Sequence, residues 1–516
     1  MIAKFFQLKV IVLILLSLFT SQYCLSNNSK KYFVANFGAV NDGKILNTQA
    51  IQKAIDEASQ NGGGLVVFPK GKYLTGSIIL KSEVTLYLEN GAVILGSTHP
   101  ADYQKVEIKD GPLSPNASDN SKLALILSFN AENVGITGKG TIDGQGRKLA
   151  LTIDSLYLIA NPVDTRHNKR PPETLRPKLT IFMDCENVNI SGVSIKNASC
   201  WVMTYELCKN VNINNINVES RAYWNNDGMD ITDCKNVKIT NCNVNTADDG
   251  ICLKSYYPGY FNDSIYIANC TIRSSASAIK FGTASHGGFR NVVIENIKVY
   301  DTYRSAIAIE SVDGGFIENV SVSNITAKNT GNPIFIRLGH RSGEKPGTIK
   351  NISIKDVKVQ VPFNQPDLYY ELYGPALPFM HNPFPSPICG IPEHCIENIT
   401  LENIEISYPG RASKGMAYIP TWRLHSVPEC IKNYPEFSMF GELPSWGFYV
   451  RHVKGITMKN IKLKLEKEDF RPAFVFDDVQ NLQMEKIQLP IGKKEHIILK
   501  DTKDINLDQE SKQFVK

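Results

Sequence analysis

A short phrase recurs along the chain and constrains its fold more than any other feature. It reads cysteine, a charged residue, asparagine, valine, any residue and isoleucine, and it occupies 185–190, 208–213 and 234–239. Looser copies begin at Glu132, Asp263, Arg290, Glu318, Lys350 and Glu397. Most copies pair an asparagine suited to a bend with a short alternating β-branched run, which is typical of a strand and a turn. A period of about 23 to 26 residues built from short strands predicts a β-solenoid.

The expected architecture is all-β: a single-stranded, right-handed parallel β-helix, with residues 27–516 forming one domain. Successive coils of such a helix lie about 4.8 Å apart, so inward residues stack as apolar ladders and one outward face becomes a groove. The cysteines that open the three closest copies, Cys185, Cys208 and Cys234, are expected to stack as buried thiols. Residues 47–60 look like a capped amphipathic helix that seals the first coil.

Two acidic clusters lie about one coil apart. Asn226, Asp227 and Gly228 form the first, with Asp230 just beyond, and Asp248 follows Asp227 by twenty-one residues with Asp249 next to it. Carboxylates stacked on one face repel each other, so at least one should have a raised pKa and supply an acid beside an ionised base. Cleavage of a glycosidic bond needs such a pair. Alone, either cluster is more often simple turn chemistry, since Asp and Gly favour tight corners.

Apolar pairs in successive coils predict which side chains share a face with the aspartates. The pairs are Met229 with Ile231, Ile251 with Leu253, Ile279 with Phe281, Ile307 with Ile309, and Ile336 with Leu338. Alternation sends the residue between each pair outward, which gives the row Asp230, Cys252, Lys280, Ala308 and Arg337. Lys280 and Arg337 are therefore candidates for substrate contact, against the ordinary alternative of solvated surface cations.

Segments 143–177, 359–394 and 406–449 break the period and are rich in Pro, Tyr and Trp. Long loops on a regular scaffold usually form the walls of a groove. Five aromatic residues in them are candidates for stacking on sugar rings, although each alone more often packs its own loop: Tyr369, Tyr370, Tyr373, Trp422 and Trp446.

Composition limits the compartment and the partners. Residues 1–26 read as a cleaved secretory signal rather than a membrane anchor, because the apolar run is too short to span, so a secreted or periplasmic protein is expected. The net charge of +5 is spread without a basic run, which argues against a nucleic-acid surface and is compatible with an anionic substrate. We expect a monomer without a cofactor or a metal site, and we regard Cys389 and Cys395 as the better disulfide candidates.

The sequence resembles the family 28 glycoside hydrolases, which include polygalacturonases and rhamnogalacturonan hydrolases. The stretch 36–43, Asn-Phe-Gly-Ala-Val-Asn-Asp-Gly, is similar to the start of many pectin-acting β-helices and marks the fold. The run 226–230, Asn-Asp-Gly-Met-Asp, is similar to the family's Asn-Thr-Asp-Gly-x-Asp, and the pair Asp248 and Asp249 follows one coil later. The resemblance extends over roughly residues 31 to 490.

The resemblance implies a role for each of these positions. Asp248 would be the general acid, Asp227 and Asp249 would activate a water, and the anomeric centre would be inverted. Substrate contacts would come from the matching and neighbouring positions Asn226, Asp230, Lys280, Arg337 and His340. The implied substrate is pectin, cut at α-1,4-galacturonosyl linkages, with exo action suggested by the wall-forming segments.

Two family motifs are incomplete. The family's Gly-His-Gly is replaced by the run 275–280, Ser-Ala-Ser-Ala-Ile-Lys, and its Arg-x-Lys appears only as Arg337-Leu338-Gly339. Lys280 or Lys254 could supply the missing positive charge, Glu310 could add a carboxylate, and His286 is a weaker candidate replacement. Three alternatives remain open: a rhamnogalacturonan hydrolase, a Ca²⁺-dependent polysaccharide lyase on the same scaffold, and a noncatalytic glycan-binding solenoid.

Overall fold

Short strands stack in parallel along one axis throughout the computed structural model, which describes residues 30–105, 112, 122–161, 171–367, 384–414, 420–490 and 496–515. The predicted signal segment, residues 1–26, lies outside the described residues. All pairings between these strands are parallel, and the chain forms the predicted right-handed parallel β-helix. Within the described residues, no helix is long and apolar enough to cross a membrane.

The strands fall into three stacks. The first contains Lys31–Phe33, Gly64–Phe68, Val84–Leu88, Glu132–Gly138, Glu186–Ser191, Lys209–Asn214, Lys235–Thr240 and Asn262–Ala268. The second contains Asp42–Leu46, Gly71–Thr75, Ala92–Gly96, Thr141–Asp143, Ser194–Lys196, Asn217–Ser220, Asn243–Thr246 and Thr271–Ser274. The third contains Ile78–Leu80, Ala124–Phe129, Lys178–Met183, Met203–Glu206, Met229–Thr232, Ile251–Ser255 and Ile279–Ser285.

Later coils continue these stacks, and several of their strands run round a corner from one stack to the next. The strands of the later coils, long and short, are Gly288–Ser311, Phe316–Leu338, Thr348–Gln360, Ser386–Cys389, Ile396–Tyr408, Phe448–Leu465, Phe474–Gln488, Ile497–Lys500 and Lys503–Leu507. The helices are Thr48–Gln60, Gly146–Ala160 and Gln509–Lys512, with 3-10 turns at Val34–Phe37, Pro100–Asp102, Glu173–Leu175 and Thr421–Ser426.

The asparagine of the repeated phrase turns the chain at the start of several first-stack strands. Asn133, Asn187, Asn210 and Asn236 adopt left-handed backbone conformations, with φ between 54° and 61°, which Asn tolerates better than most residues. Their side-chain amides also hydrogen bond from coil to coil, for example Asn236 Nδ2 to Asn210 Oδ1 at 2.9 Å. The repeat is therefore visible in sequence because the same corner must be built in every coil.

Apolar side chains fill the interior along the axis. Val188, Val211 and Val237 stack in register, and Cys185, Cys208 and Cys234 are buried free thiols as predicted. The expected pairing of Cys389 with Cys395 is wrong, because both are free and Cys389 is packed in a separate apolar cluster under segment 427–446.

The first coil is closed by the helix Thr48–Gln60, which buries Ile51, Ala54, Ile55 and Ala58, as the sequence predicts. Its expected side-chain cap is not made, because the Asn47 amide instead bonds Val40, Ile45 and Leu74. Segment 143–177 is not simply a loop: it contains the helix Gly146–Ala160.

Candidate active site

The third stack brings the two acidic clusters together. The strands Met229–Thr232 and Ile251–Ser255 pair with Met229 opposite Ile251, and the N–H of Gly228 donates to the Asp249 carbonyl at 2.9 Å. Asp227 and Asp249 therefore occupy matching places in successive coils, immediately before their strands. One oxygen from each of Asp227, Asp248 and Asp249 lies within 4.8 Å of the others. The aspartates thus form one cluster at the start of the third stack.

Asn226 sets the turn that presents Asp227. Its Oδ1 accepts hydrogen bonds from Ser220 Oγ and from the N–H groups of Ala222 and Tyr223 at 3.0–3.1 Å. Its amide nitrogen donates to the carbonyls of Ala198 and Cys200. All of these groups are protein atoms and Asn226 is 0% exposed, so Asn226 shapes the turn in this structure. A contact between Asn226 and substrate stays a prediction.

Two buried lysines neutralise the aspartates. Lys254 Nζ lies 3.3 Å from Asp227 Oδ2 and 3.4 Å from Asp230 Oδ1, and Lys280 Nζ lies 3.0 Å from Asp249 Oδ2. Asp230 is 0% exposed, and its expected contact with substrate stays a prediction. In this structure Asp230 acts as a counter-ion that holds Lys254 in place.

The environment separates the protonation states of the cluster. Burial and the neighbouring Asp230 raise the pKa of Asp227 well above its usual value, although Lys254 opposes the rise. Burial and repulsion from Asp249 also raise the pKa of Asp248. Burial acts in the same direction on Asp249, but Lys280, together with other nearby cations, outweighs it and lowers the pKa of Asp249. The cluster therefore places a carboxyl with a lowered pKa, Asp249, beside two with raised pKa values, which is the division that acid and base catalysis require.

Hydrogen bonds from the next coil fix Asp249 further. The N–H of Ser277 donates to Asp249 Oδ1 at 3.0 Å, and the N–H of Asp249 itself donates to Asp248 Oδ1 at 3.0 Å. Ser277 belongs to the Ser-Ala-Ser run that stands where the resembled family has Gly-His-Gly. A backbone donor and Lys280 thus occupy the surroundings of Asp249, while His286 lies past the far end of the strand Ile279–Ser285.

An irregular segment, residues 427–436, completes the surroundings of the cluster. Lys280 Nζ donates to Tyr434 Oη at 3.3 Å and lies 5.5 Å from the centre of that ring. Arg304 Nη1 lies 2.5 Å from Glu436 Oε1. Tyr434 is 50% exposed, so it presents an aromatic face directly beside the buried charges.

The alignment of Arg337 with Lys280 is wrong by two residues. Lys280 pairs with Ala308, which pairs with Phe335, whereas Arg337 pairs with Glu310. The register shifts between Thr302 and Ser305, so counting apolar pairs from sequence loses the alignment there. Arg337 is 1% exposed and its guanidinium donates to the carbonyls of Cys389, Gly390, Glu429 and Cys430.

His340 lies just beyond the same strand. Its ring Nε2 is 3.0 Å from the Gly343 carbonyl, and its backbone N–H donates to Ile431 at 2.8 Å. Neither contact reaches the aspartates, so a role in substrate binding remains a prediction for His340.

The aromatic residues proposed for sugar stacking differ in their exposure. Trp446 is 1% exposed and packs edge-on against Tyr408, so it supports its own loop. Trp422 is 77% exposed. Tyr369, Tyr370 and Tyr373 lie outside the described residues. Tyr434 could not be found from sequence, because its segment has no periodic pattern. Lys254 could be found, because it lies two residues after Cys252 on the same strand and alternation sends both outward.

Three clustered carboxylates also have the spacing of a cation site. Here, however, two of the three already contact ammonium groups: Asp227 contacts Lys254, and Asp249 contacts Lys280. A divalent cation bound by these oxygens would lie close to both ammonium groups and be repelled by them. The donor set therefore fits proton chemistry better than metal binding.

Comparisons with known proteins identify a family and relatives of this chain. The family model Glycosyl hydrolases family 28 matches residues 66–361, and the model Rhamnogalacturonase A/epimerase, pectate lyase-like, matches residues 33–97. A probable polygalacturonase of Vitis vinifera is 28% identical over 63% of this chain and 60% of its own length. An exo-poly-alpha-D-galacturonosidase of Dickeya chrysanthemi is 25% identical over 63% of this chain and 62% of its own length. The chain thus matches about three fifths of the length of these two relatives.

One solved structure shares the fold across most of the chain. The exopolygalacturonase of Thermotoga maritima superposes with a TM-score of 0.60 at 23% identity, covering 84% of this chain and 92% of that one. At this identity the likeness concerns the β-helix itself.

Proposed function

The chain belongs to glycosyl hydrolases family 28, and from that premise we propose that it is a pectin-degrading glycoside hydrolase that cleaves α-1,4-galacturonosyl linkages. The observation that carries the proposal is the cluster of Asp227, Asp248 and Asp249 with its divided protonation states. A glycosidase needs a carboxylic acid for the leaving oxygen and a carboxylate for the water. The two relatives are named as a probable polygalacturonase and an exo-poly-alpha-D-galacturonosidase. We extend this substrate class, the galacturonan of pectin, to this chain as part of the proposal.

In the proposed mechanism, Asp248 donates its proton to the glycosidic oxygen. The raised pKa of Asp248 supports this role, because the acid must be protonated before the bond breaks. Asp249 is the base: its lowered pKa keeps it ionised to accept a proton from water. Asp227 orients that water from the preceding coil, where its contact with Lys254 holds it.

Inversion is part of the proposal and needs its own measurement. Inverting enzymes usually separate their two carboxyl groups by roughly 6.5–9.5 Å, and retaining enzymes by about 5–5.5 Å. In this structure one oxygen from each of Asp227, Asp248 and Asp249 lies within 4.8 Å of the others, closer than the carboxyl separation typical of inverting enzymes. Proton NMR of the first product formed distinguishes the outcomes: a β-configured reducing end from an α-linked substrate supports inversion, and an α-configured end refutes it.

Exo action is proposed from two observations. The named function of the Dickeya relative is exo-acting, and residues 427–436 place Tyr434 beside Lys280 on the groove face. An aromatic wall next to the catalytic cluster favours a short substrate site that accepts chain ends. Release of monomers or dimers without a fast fall in viscosity supports this mode, and a rapid fall in viscosity refutes it.

Arg337 favours a second candidate, hydrolysis of rhamnogalacturonan. A uronate beside the scissile bond needs a cation that can bind its carboxylate. The Arg337 guanidinium is not available for this, because it already donates to four carbonyls. Lys254 and Lys280 are occupied by aspartates. A neutral rhamnose on one side of the cleaved bond would not need such a cation.

The deciding experiment incubates the protein separately with polygalacturonate and rhamnogalacturonan and measures reducing ends, ultraviolet absorbance and product size. Saturated galacturonic acid from the first substrate supports the leading proposal, and product from the second alone supports the alternative. An unsaturated product that disappears with chelator would identify a lyase, and binding without product a noncatalytic solenoid. Asp248→Asn should lose roughly 10²-fold or more of the activity, whereas Asp263→Asn, which removes a remote surface ion pair with Arg290, should retain it.

A further inference from the structure

Residues 427–436, called here the arm, reach the catalytic cluster without regular secondary structure. None of these residues belongs to a helix or a strand, so no ladder of backbone hydrogen bonds determines where Tyr434 and Glu436 lie. The carbonyls of an irregular segment packed on a sheet need partners, and the identity of those partners shows what holds the segment in place.

Four arm carbonyls accept hydrogen bonds from the solenoid. Arg337 Nη2 donates to Glu429 at 2.6 Å and to Cys430 at 3.0 Å. Arg451 Nη1 donates to Val427 at 2.9 Å, and the backbone N–H of His340 donates to Ile431 at 2.8 Å. The arm is thus attached at its beginning, just before the residues that face the cluster.

Arg337 joins this attachment to the sheet. Its other terminal nitrogen, Nη1, donates to the Gly390 carbonyl at 2.9 Å, at the end of the third-stack strand Ser386–Cys389. Arg337, Cys389 and Arg451 occupy one register row of that stack. The planar guanidinium therefore bridges the solenoid and the arm, a geometry that a lysine does not reproduce because it lacks the rigid two-sided fork.

The far end of the arm makes the contacts that matter for the site. Tyr434 Oη accepts from Lys280, which in turn contacts Asp249, and Glu436 pairs with Arg304. Only three residues separate Cys430, which Arg337 holds, from Tyr434. A shift of the arm at Cys430 would therefore move Tyr434 relative to Lys280 and disturb the hydrogen bond between them.

We propose that Arg337 is a positioning residue that fixes the arm and, through Tyr434, the lysine that supports the catalytic base. This role replaces the direct substrate contact expected for Arg337 from sequence. The inference rests on the proposed function for its kinetic readouts, but its structural readout is independent of activity.

The structural test is hydrogen exchange measured by mass spectrometry on the substrate-free protein. Arg337→Gln should speed exchange in peptides covering residues 427–436 while leaving the first-stack strand Lys209–Asn214 unchanged. Arg337→Lys keeps the buried charge and should give a smaller change, which preserves the test if Arg337→Gln fails to fold. Unchanged exchange in the arm of a folded variant would overturn the proposal.

The kinetic test is a double-mutant cycle with Tyr434→Phe, which removes only the hydroxyl bonded to Lys280. Arg337→Gln and Tyr434→Phe should each lower kcat, by roughly tenfold, and shift the acidic limb of the pH profile, with a double variant little worse than Arg337→Gln alone. Arg290→Gln, at the remote pair with Asp263, is the control and should match the parent protein.

The opposite pattern identifies a substrate contact. A rise in KM with unchanged kcat, an unmoved pH profile and effects that multiply in the double variant would show that Arg337 binds the polysaccharide directly. If the parent protein releases no product from any pectin, the proposed function fails, while the exchange experiment still decides whether Arg337 holds the arm.

Discussion

Replacing Lys280 by methionine tests the electrostatic design of the site most directly. The Lys280 ammonium lies 3.0 Å from Asp249 Oδ2 and is 2% exposed. Two unit charges at this distance interact by about 5 kcal/mol at an effective dielectric constant of about 20. The variant loses this attraction, while Lys254 continues to lower the pKa of Asp249. Because water that enters the vacated space screens the change, we take about half of the attraction as the net loss. Protonation of Asp249 would then be favoured by about 2–3 kcal/mol more than in the parent, which is more than tenfold in its protonated-to-ionised ratio.

The assay is the pH profile of kcat for release of reducing ends. Lys280 lowers the pKa of Asp249, so its removal raises that pKa, and activity on the acidic side should fall at a higher pH than in the parent. At an acidic pH where the parent is still active, Lys280→Met should be at least about tenfold slower. Lys280→Arg retains the charge and should restore most of the acidic limb. An unmoved acidic limb in a folded Lys280→Met protein would refute the conclusion that Lys280 keeps Asp249 ionised.

Three further outcomes follow from the structure. Burial raises the pKa of Glu310 to about 8. The neutral acid therefore contributes its full share of the free energy of unfolding below about pH 4, and this share is lost as the pH rises towards 8. Urea unfolding should therefore show Glu310→Gln near parent stability at pH 5 but more stable by on the order of 2–4 kcal/mol at pH 9, and equal effects at both values would contradict this. Asn226→Ala leaves five protein groups without their partner and should cost about 2–4 kcal/mol of unfolding free energy; a loss of activity without a loss of stability would instead indicate substrate contact. Because all ten cysteines of the described residues are free, reducing agent should leave Tm unchanged, and a fall in Tm would reveal a disulfide.

The fold was predictable because one local rule is repeated in every coil. Asn187 and Asn210 must each turn the chain through a left-handed conformation, and the residues after them must alternate inward and outward. Both requirements leave a pattern in the sequence. The helix Gly146–Ala160 carries no such repeated pattern and lies in a segment rich in loop-forming residues, so it was not foreseen.

The site was predictable only where register is simple. Asp230, Cys252 and Lys280 follow each other in adjacent coils without a shift, so the lysine beside the aspartates could be found from alternation alone. The shift after Thr302 moved Arg337 away from this row. Asn226 and Tyr434 depend on turns and on a segment distant in sequence, and such contacts leave no periodic signal.

The charges of the cluster also explain how the site can work without the family's histidine. The ammonium groups of Lys254 and Lys280 contact Asp227, Asp230 and Asp249, while burial and neighbouring carboxylates raise the pKa of Asp227 and Asp248. Lysine holds its charge across the working pH range, whereas an imidazole titrates within it. We therefore expect His286→Ala to keep kcat within a few-fold of the parent across the pH profile, since a general acid or base contributes about 10²–10⁴-fold. A hundredfold loss of kcat, with a change in one limb of the profile, would show that a histidine does act in this site and that the lysines are not its replacement.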